Sequence, residues 1–176
     1  MAVSKRIADA EYVIQVMENE GVEPNVITYT TLIRGYTKMS DMEGAENVVD
    51  WMVEHGVARN DFTYNTLQQG YLRVGDFDAA HGILTRMEED GVSPDPVTFV
   101  QLIAGYAKKG RVGEAESVFA SMPMVPTLKA YLALARAYVN ASDFYGMDGV
   151  LDRCIASHGC LSPELEALAR MRRTRS

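Results

Sequence analysis

The chain has 176 residues with 47% hydrophobic content, enough for one well-buried domain, and no apolar run approaches the length of a membrane span. Its formal net charge of −7 argues at first against a polyanionic partner. Three scattered histidines (His55, His81, His158) and two cysteines at no metal-binding spacing (Cys154, Cys160), with no phosphate-cradling glycine loop or nucleophile motif, argue against an enzyme, a metal site and any cofactor.

In chain order, the opening residues are Met-Ala-Val-Ser-Lys-Arg-Ile-Ala-Asp-Ala-Glu, with an early acid and no apolar centre. They are not a signal peptide, and they are too short and too acidic for an obvious organelle transit segment. With the two cysteines taken as reduced, an intracellular chain is the default. Ala10, Val13, Ile14 and Met17 follow at helical spacing, then Gly21-Val22-Glu23-Pro24-Asn25. The same pattern returns thirty-five residues later as Ala45, Val48, Val49 and Met52. Residues 1–25 are therefore expected to be the second helix and closing loop of an incomplete repeat, either a terminal cap or, the favoured reading, part of a piece of a longer protein. The unpartnered face of Val13, Ile14 and Met17 is expected to invite self-association or a partner.

Residues 26–60 and 61–95 form two consecutive repeats of thirty-five residues, identical at twelve positions without a gap. A fixed period of this length marks a solenoid, in which each unit buries its apolar face against its neighbours. In the first helix of each unit, Tyr29, Leu32, Ile33 and Tyr36 recur at helical spacing, as do Tyr64, Leu67 and Tyr71. Gly35 and Gly70 each cost about 1 kcal/mol inside a helix, which implies close approach of a neighbouring helix. Asp41 and Asp76 fit the start of a second helix. Ala45, Val48, Val49 and Met52 form its buried stripe, matched by Ala80, Ile83, Leu84 and Met87, while Trp51 falls on an outward or inter-repeat surface. Gly56 and Gly91 fit left-handed C-caps.

Residues 96–127 make a third repeat of thirty-two, shortened in the closing loop around Pro123 and Pro126. Thr98, Leu102, Gly105, Tyr106, Ala115 and Met122 keep the pattern. Residues 128–164 make a degenerate fourth, which retains Tyr131, Leu134, Tyr138, Val150 and Leu151 and carries an extra residue near Cys160 and Leu161. A helical segment from Pro163 to Met171 is expected to cover the last face, so that residues 165–176 are a helix end and a frayed basic tail with Arg172, Arg173 and Arg175.

These units resemble the pentatricopeptide repeat (PPR) of the P type, a helical-hairpin module. The resemblance rests on Val-Ile-Thr-Tyr-Thr-Thr-Leu-Ile-Arg-Gly-Tyr, on Asp-Met-Glu-Gly-Ala-Glu and on the closing Gly-Val-x-Pro-Asn/Asp, and it covers roughly residues 4 to 164. The Trp-x2-Leu-Gly-x2-Tyr opening of tetratricopeptide repeats is absent. The resemblance implies an all-α fold: a right-handed α-solenoid of stacked antiparallel helix pairs. It also implies a binder of single-stranded RNA, located in a mitochondrion or chloroplast, that reads one base per repeat.

Carried onto this chain by the resemblance, the base-reading pair of the first full repeat is Thr30 with Asn60, and that of the second is Asn65 with Asp95. The apolar residues that sandwich the bases fall at Ile27, Phe62 and Val97. By the family's tendencies Thr with Asn favours adenine, and Asn with Asp favours uracil. Two plainer readings stand beside these: Asn60 and Asp95 cap the following helices, and Thr30 and Asn65 are solvated helix residues. Repeat three offers Val100 and Thr127 at the reading positions, which assigns no base. In repeat four Lys129 replaces the apolar sandwiching residue and Leu132 the polar reader.

Charge is divided unevenly. The first helices hold Arg34, Lys38, Arg73, Lys108, Lys109, Lys129 and Arg136 against the single acid Asp61, and nineteen of the twenty-four acids lie on the second helices, the opening one included. Lys38, Arg73 and Lys108 share one repeat position, which meets phosphate in members of the family; Asn140 stands there in repeat four. A basic last turn favoured by the helix dipole is the plainer account. Two functions follow: an organellar RNA-processing, splicing, stability or translation factor that binds single-stranded RNA, or a protein-interaction scaffold without base readout. Base stacking contributes about 1–3 kcal/mol, so two legible repeats alone bind RNA weakly.

Overall fold

The computed structural model describes residues 12–173, with side chains through Arg170; the expectations on Ala10 and Arg175 lie outside them. Among the described residues every regular element is a helix. The fold is an all-α solenoid of antiparallel helix pairs, and it divides into two compact units, up to Ser93 and from Pro94 onward.

The first unit holds α1 (residues 12–19), α2 (Val26–Lys38), α3 (Met42–Glu54), α4 (Asp61–Val74) and α5 (Phe77–Glu89). Helix α2 packs on α3 and α4, and α4 packs on α5, so first helices share one layer and second helices the other. Tyr29, Ile33, Val48, Met52, Tyr64, Leu67, Ile83 and Met87 form one continuous core, while Leu32, Tyr71 and Leu84 are half-buried. Trp51 packs against the edge of that core. One expectation on α1 is corrected: Ile14 is not exposed but only 5% accessible, because it joins this core, and it leaves Tyr12, Val13 and Val16 as the exposed apolar residues of the helix.

The second unit holds α6 (Pro96–Lys108), α7 (Val112–Ala120), α8 (Leu128–Asn140), α9 (Phe144–His158) and α10 (Pro163–Arg173). Helix α6 packs on α7 and α8, and α8 on α9. The shortening of the third repeat falls on α7, which has 9 residues where α3 and α5 have 13. Helix α10 closes the unit by lying against α8 and α9 with Leu165 fully buried.

Local signals explain the helix ends. Asp41, Asp76 and Asp143 accept hydrogen bonds from the backbone N–H groups of Gly44, Ala79 and Gly146 at 2.9, 3.0 and 2.9 Å. Arg111, at the same place in the third repeat, makes no side-chain bond to the helix N–H groups and pairs instead with Glu114. Gly56 and Gly91 end α3 and α5 with φ of +67° and +70°. Close approach holds at Gly70, where a Cβ would lie 2.6 Å from both Met42 Sδ and Thr37 Cγ2. It does not hold at Gly35, which no described side chain approaches within 4 Å, because the matching face of α2 meets no described first helix.

A polar fastener that sequence periodicity did not show ties neighbouring second helices together. Glu46 on α3 accepts two hydrogen bonds from Arg86 on α5, at 2.7 and 3.0 Å, and a third from the Tyr71 hydroxyl at 2.5 Å. The second unit repeats it: Glu116 accepts from Arg153 at 2.7 and 3.3 Å and from Tyr138 at 2.6 Å. Burial pushes the Glu46 carboxyl up, but the bonds from Arg86 and Tyr71 outweigh it and hold the group below its ordinary 4.5. Burial, then the bond to Glu116, pushes the Tyr138 hydroxyl up to about 12.

A depressed carboxyl contributes stability above its unfolded value and loses it as pH falls through the folded one. Glu46→Gln should cost about 1–2 kcal/mol at pH 7 and should flatten the fall of Tm between about pH 5 and pH 3. The raised Tyr138 hydroxyl works the other way: its contribution is complete below pH 10 and is lost as pH rises through about 12, so Tyr138→Phe should reduce the alkaline loss of Tm. Ser40 and Ser142 sit at φ of +60° and +59°, where the other repeats place Gly75 and Gly110. Ser40→Gly and Ser142→Gly should each stabilise by about 0.5–1 kcal/mol, read as a higher Tm.

Candidate functional site

The residues that close each repeat are all helix N-caps. Asn25, Asn60, Asp95 and Thr127 have extended backbones, with ψ of 178°, 177°, 171° and 162°, and cap α2, α4, α6 and α8. Asn60 Oδ1 accepts from the Thr63 N–H at 3.0 Å and from the Thr63 hydroxyl at 3.0 Å. Asp95 Oδ1 does the same with Thr98 at 2.8 and 2.9 Å. Thr127 accepts the Ala130 N–H at 3.3 Å, and residue 130 has no hydroxyl to add.

This geometry decides which way each head group faces. The helix N–H groups are donors, so the atom turned to them must be the oxygen of Asn60, not its nitrogen. Its Nδ2 is left on the opposite side as a donor of two protons. In Asp95 the second oxygen, Oδ2, is left as an acceptor. Neither atom is bonded among the described residues, and both side chains are partly open to solvent. Cap and reader are thus compatible in one residue, since each role uses a different atom.

The paired positions on the first helices behave differently. Thr30 is buried, with 1% of its surface accessible, and its hydroxyl lies 2.6 Å from Val26 O and 3.2 Å from Thr63 Oγ1. Thr30 and Asn60 are therefore brought together through Thr63 and not directly. Asn65 and Val100 are half-buried on α4 and α6. Thr63 itself escaped the sequence reading, although a threonine three residues after each of Asn25, Asn60 and Asp95 was there to be seen.

Exposed apolar side chains stand in the first turns of the same helices. In the first unit Ile27 and Phe62 are 73% and 56% exposed, and in the second Val97 is 51% exposed. Isolated exposed apolar residues are ordinary. The same repeat position is left open in each of these three repeats, while the neighbouring Tyr64 and Leu67 are fully buried.

Charge completes the asymmetry. Arg34, Lys38 and Arg73 in the first unit, and Lys108, Lys129 and Arg136 in the second, are exposed on first helices, with Lys109 exposed at the C-cap of α6, and no ion pair engages them among the described residues. Arginines elsewhere are committed: Arg86 to Glu46, Arg153 to Glu116, Arg59 to Asp90 and Arg111 to Glu114, all at 2.7 Å. Asn140, at the position of Lys108, donates its amide to Ala107 O at 2.8 Å and serves packing. Among the described residues no group of three His, Cys, Asp or Glu could hold a metal ion.

Comparison with curated proteins returns no match. The pentatricopeptide repeat protein PPR10 from maize superposes with a TM-score of 0.76 at 26% identity, over 88% of this chain and 22% of that one. PPR10 in complex with an 18-nucleotide psaJ RNA element gives a TM-score of 0.72 at 26% identity, over 87% of this chain and 23% of that one. The PPR domain of Arabidopsis thaliana protein-only RNase P 1 (PRORP1), in complex with tRNA, shares the fold with a TM-score of 0.70 at 17% identity, over 94% and 89%. This chain thus spans less than a quarter of the length of PPR10. The pattern described as the PPR repeat family matches residues 24–70 and 59–104, and that of the PPR repeat matches 90–123. With more than half of its length matched without a break, the chain belongs to the pentatricopeptide repeat family.

Proposed function

We propose that this chain is a non-catalytic module that binds single-stranded RNA along its first helices, one base per repeat, as part of an organellar RNA-processing, splicing, stability or translation factor. The observation that carries the reading is the free donor edge of Asn60 at the start of α4, with Ile27 and Phe62 exposed in the first turns of α2 and α4. A base needs three things from a protein: apolar surface for its faces, a partner for its Watson–Crick edge and cations for its phosphates. Ile27, Phe62 and Val97 supply the first, the closing residues the second, and Lys38, Arg73 and Lys108 the third. The likeness to PPR10, which is known with RNA bound, supports the same reading.

Polarity then selects the base. The Watson–Crick edges of adenine and cytosine offer a ring-nitrogen acceptor, and those of guanine and uracil a ring N–H donor. Asn60, facing outward with its amide protons, fits adenine or cytosine, and adenine is the family tendency for a pair with Thr30. Asp95, facing outward with Oδ2, fits uracil or guanine, and its expected partner Asn65 favours uracil. In the second unit Val100 and Leu132 are apolar where a reader is needed, which favours a protein contact there. Localisation in a mitochondrion or chloroplast follows from the family resemblance. No described helix is long and apolar enough to cross a membrane.

The test uses short single-stranded RNAs differing at one base, titrated by NMR so that millimolar constants are measurable. Asn60→Asp keeps the cap, so Tm should change by less than about 0.5 kcal/mol equivalent. It should move the preferred base from adenine toward guanine by about tenfold or more. Asn60→Ala should cost about 1 kcal/mol in stability and lose the preference. An Asn60→Asp protein that folds and keeps the same base ranking would leave the protein-scaffold reading ahead. Replacing Lys38, Arg73 and Lys108 by Ala should weaken all four RNAs alike and reduce the log–log salt slope by about 2, since each single-strand phosphate contact contributes about 0.7.

A further inference from the structure

We propose that Thr63 is a positioning residue for base readout, holding the Asn60 amide with its donor edge outward and coupling it to Thr30; the readout part rests on the RNA reading above. Three hydroxyl contacts run in series through the first unit. Thr30 Oγ1 lies 2.6 Å from Val26 O, Thr30 Oγ1 lies 3.2 Å from Thr63 Oγ1, and Thr63 Oγ1 lies 3.0 Å from Asn60 Oδ1. Two hydroxyls bring only two protons to these three contacts. The short contact to Val26 O claims the Thr30 proton. Thr63 is left with one proton and two acceptors, Asn60 Oδ1 and Thr30 Oγ1.

That count gives Thr63 its role. Whatever the Thr30 oxygen takes from the Thr63 proton is withdrawn from Asn60, whose Oδ1 is then held by the Thr63 N–H alone. The Thr63 side chain is fully buried, so no solvent competes for its hydroxyl. Thr30 is almost as buried, with 1% of its surface accessible. Asp95 has the same grip from the Thr98 hydroxyl, and Thr127 has none, because residue 130 is alanine. The hydroxyl grip is therefore present at Asn60 and Asp95 and missing at Thr127, where the reading pair is also incomplete.

The test compares Thr63→Val, Thr63→Ser and Thr30→Val in the whole chain. Without RNA, 15N relaxation of the Asn60 side-chain amide should show it ordered in the unsubstituted protein and in Thr63→Ser, and mobile in Thr63→Val. Thr30→Val removes the competing acceptor, so the amide should stay ordered. A role in packing alone would loosen Asn60 in both valine variants, and that result, or an amide equally ordered in Thr63→Val, overturns the proposal. Should Thr63→Val not fold, the other two variants decide it, since a mobile amide in Thr30→Val overturns it and an ordered one in both supports it.

With RNAs differing at one base, Thr63→Val should narrow the ratio of adenine to uracil binding by two- to tenfold, the worth of about one hydrogen bond, and Thr63→Ser should restore it. A ratio unchanged in Thr63→Val overturns the readout part. If no RNA shifts the Asn60 amide even in the unsubstituted protein, the RNA reading and the readout part fail together, while the relaxation data still decide whether Thr63 orients Asn60.

Discussion

Every first helix begins with N–H groups that the helix cannot satisfy, and one side-chain oxygen per repeat is recruited to accept them. That requirement organises the rest. It places Asn25, Asn60, Asp95 and Thr127 at the same point of successive repeats, and it turns each head group the same way. It also explains why a buried threonine follows at Thr63 and Thr98: a hydroxyl three residues on can bond the same oxygen while its backbone N–H is capped. The exposed atom of each cap is a by-product of this arrangement. A repeat that must cap its first helix has, at no further cost, one polar edge of known sign.

The two helix layers carry opposite electrostatic duties. On second helices two of the acids are structural: Glu46 and Glu116 each gather an arginine and a tyrosine from the following repeat. Each of these pairs sets one carboxylate against one guanidinium, so they hold repeats together and leave the formal charge of −7 unchanged. On first helices the cations make no close ion pair among the described residues. A whole-chain charge hides this division, because each unit carries its own separation of charge between first and second helices.

Much of this was legible in the sequence because a repeat exposes its own rules. Helix starts at Asp41 and Asp76, helix ends at Gly56 and Gly91 and the stripe through Val48, Val49 and Met52 all follow from local spacing. What escaped reading involves partners in other repeats. Ile14 is buried because α3 and its neighbours offer a core edge that periodicity in residues 1–25 could not reveal. Gly35 and Gly70 look alike in sequence but differ in what stands opposite them. Thr30 reads as a surface residue from helix spacing, and it is buried because Thr63 packs against it.

The bare Cα of Gly70 has a further consequence. With Met42 and Thr37 pressed where a side chain would begin, α2 and α4 lie at a separation that no larger residue would allow. Helix axes usually lie about 8–10 Å apart, according to the side chains between them. For any extended polymer gripped once per repeat, this separation is the pitch. A methyl group at residue 70 would lengthen the ruler without touching a single mark on it, and a ligand whose links have fixed reach would fall out of step.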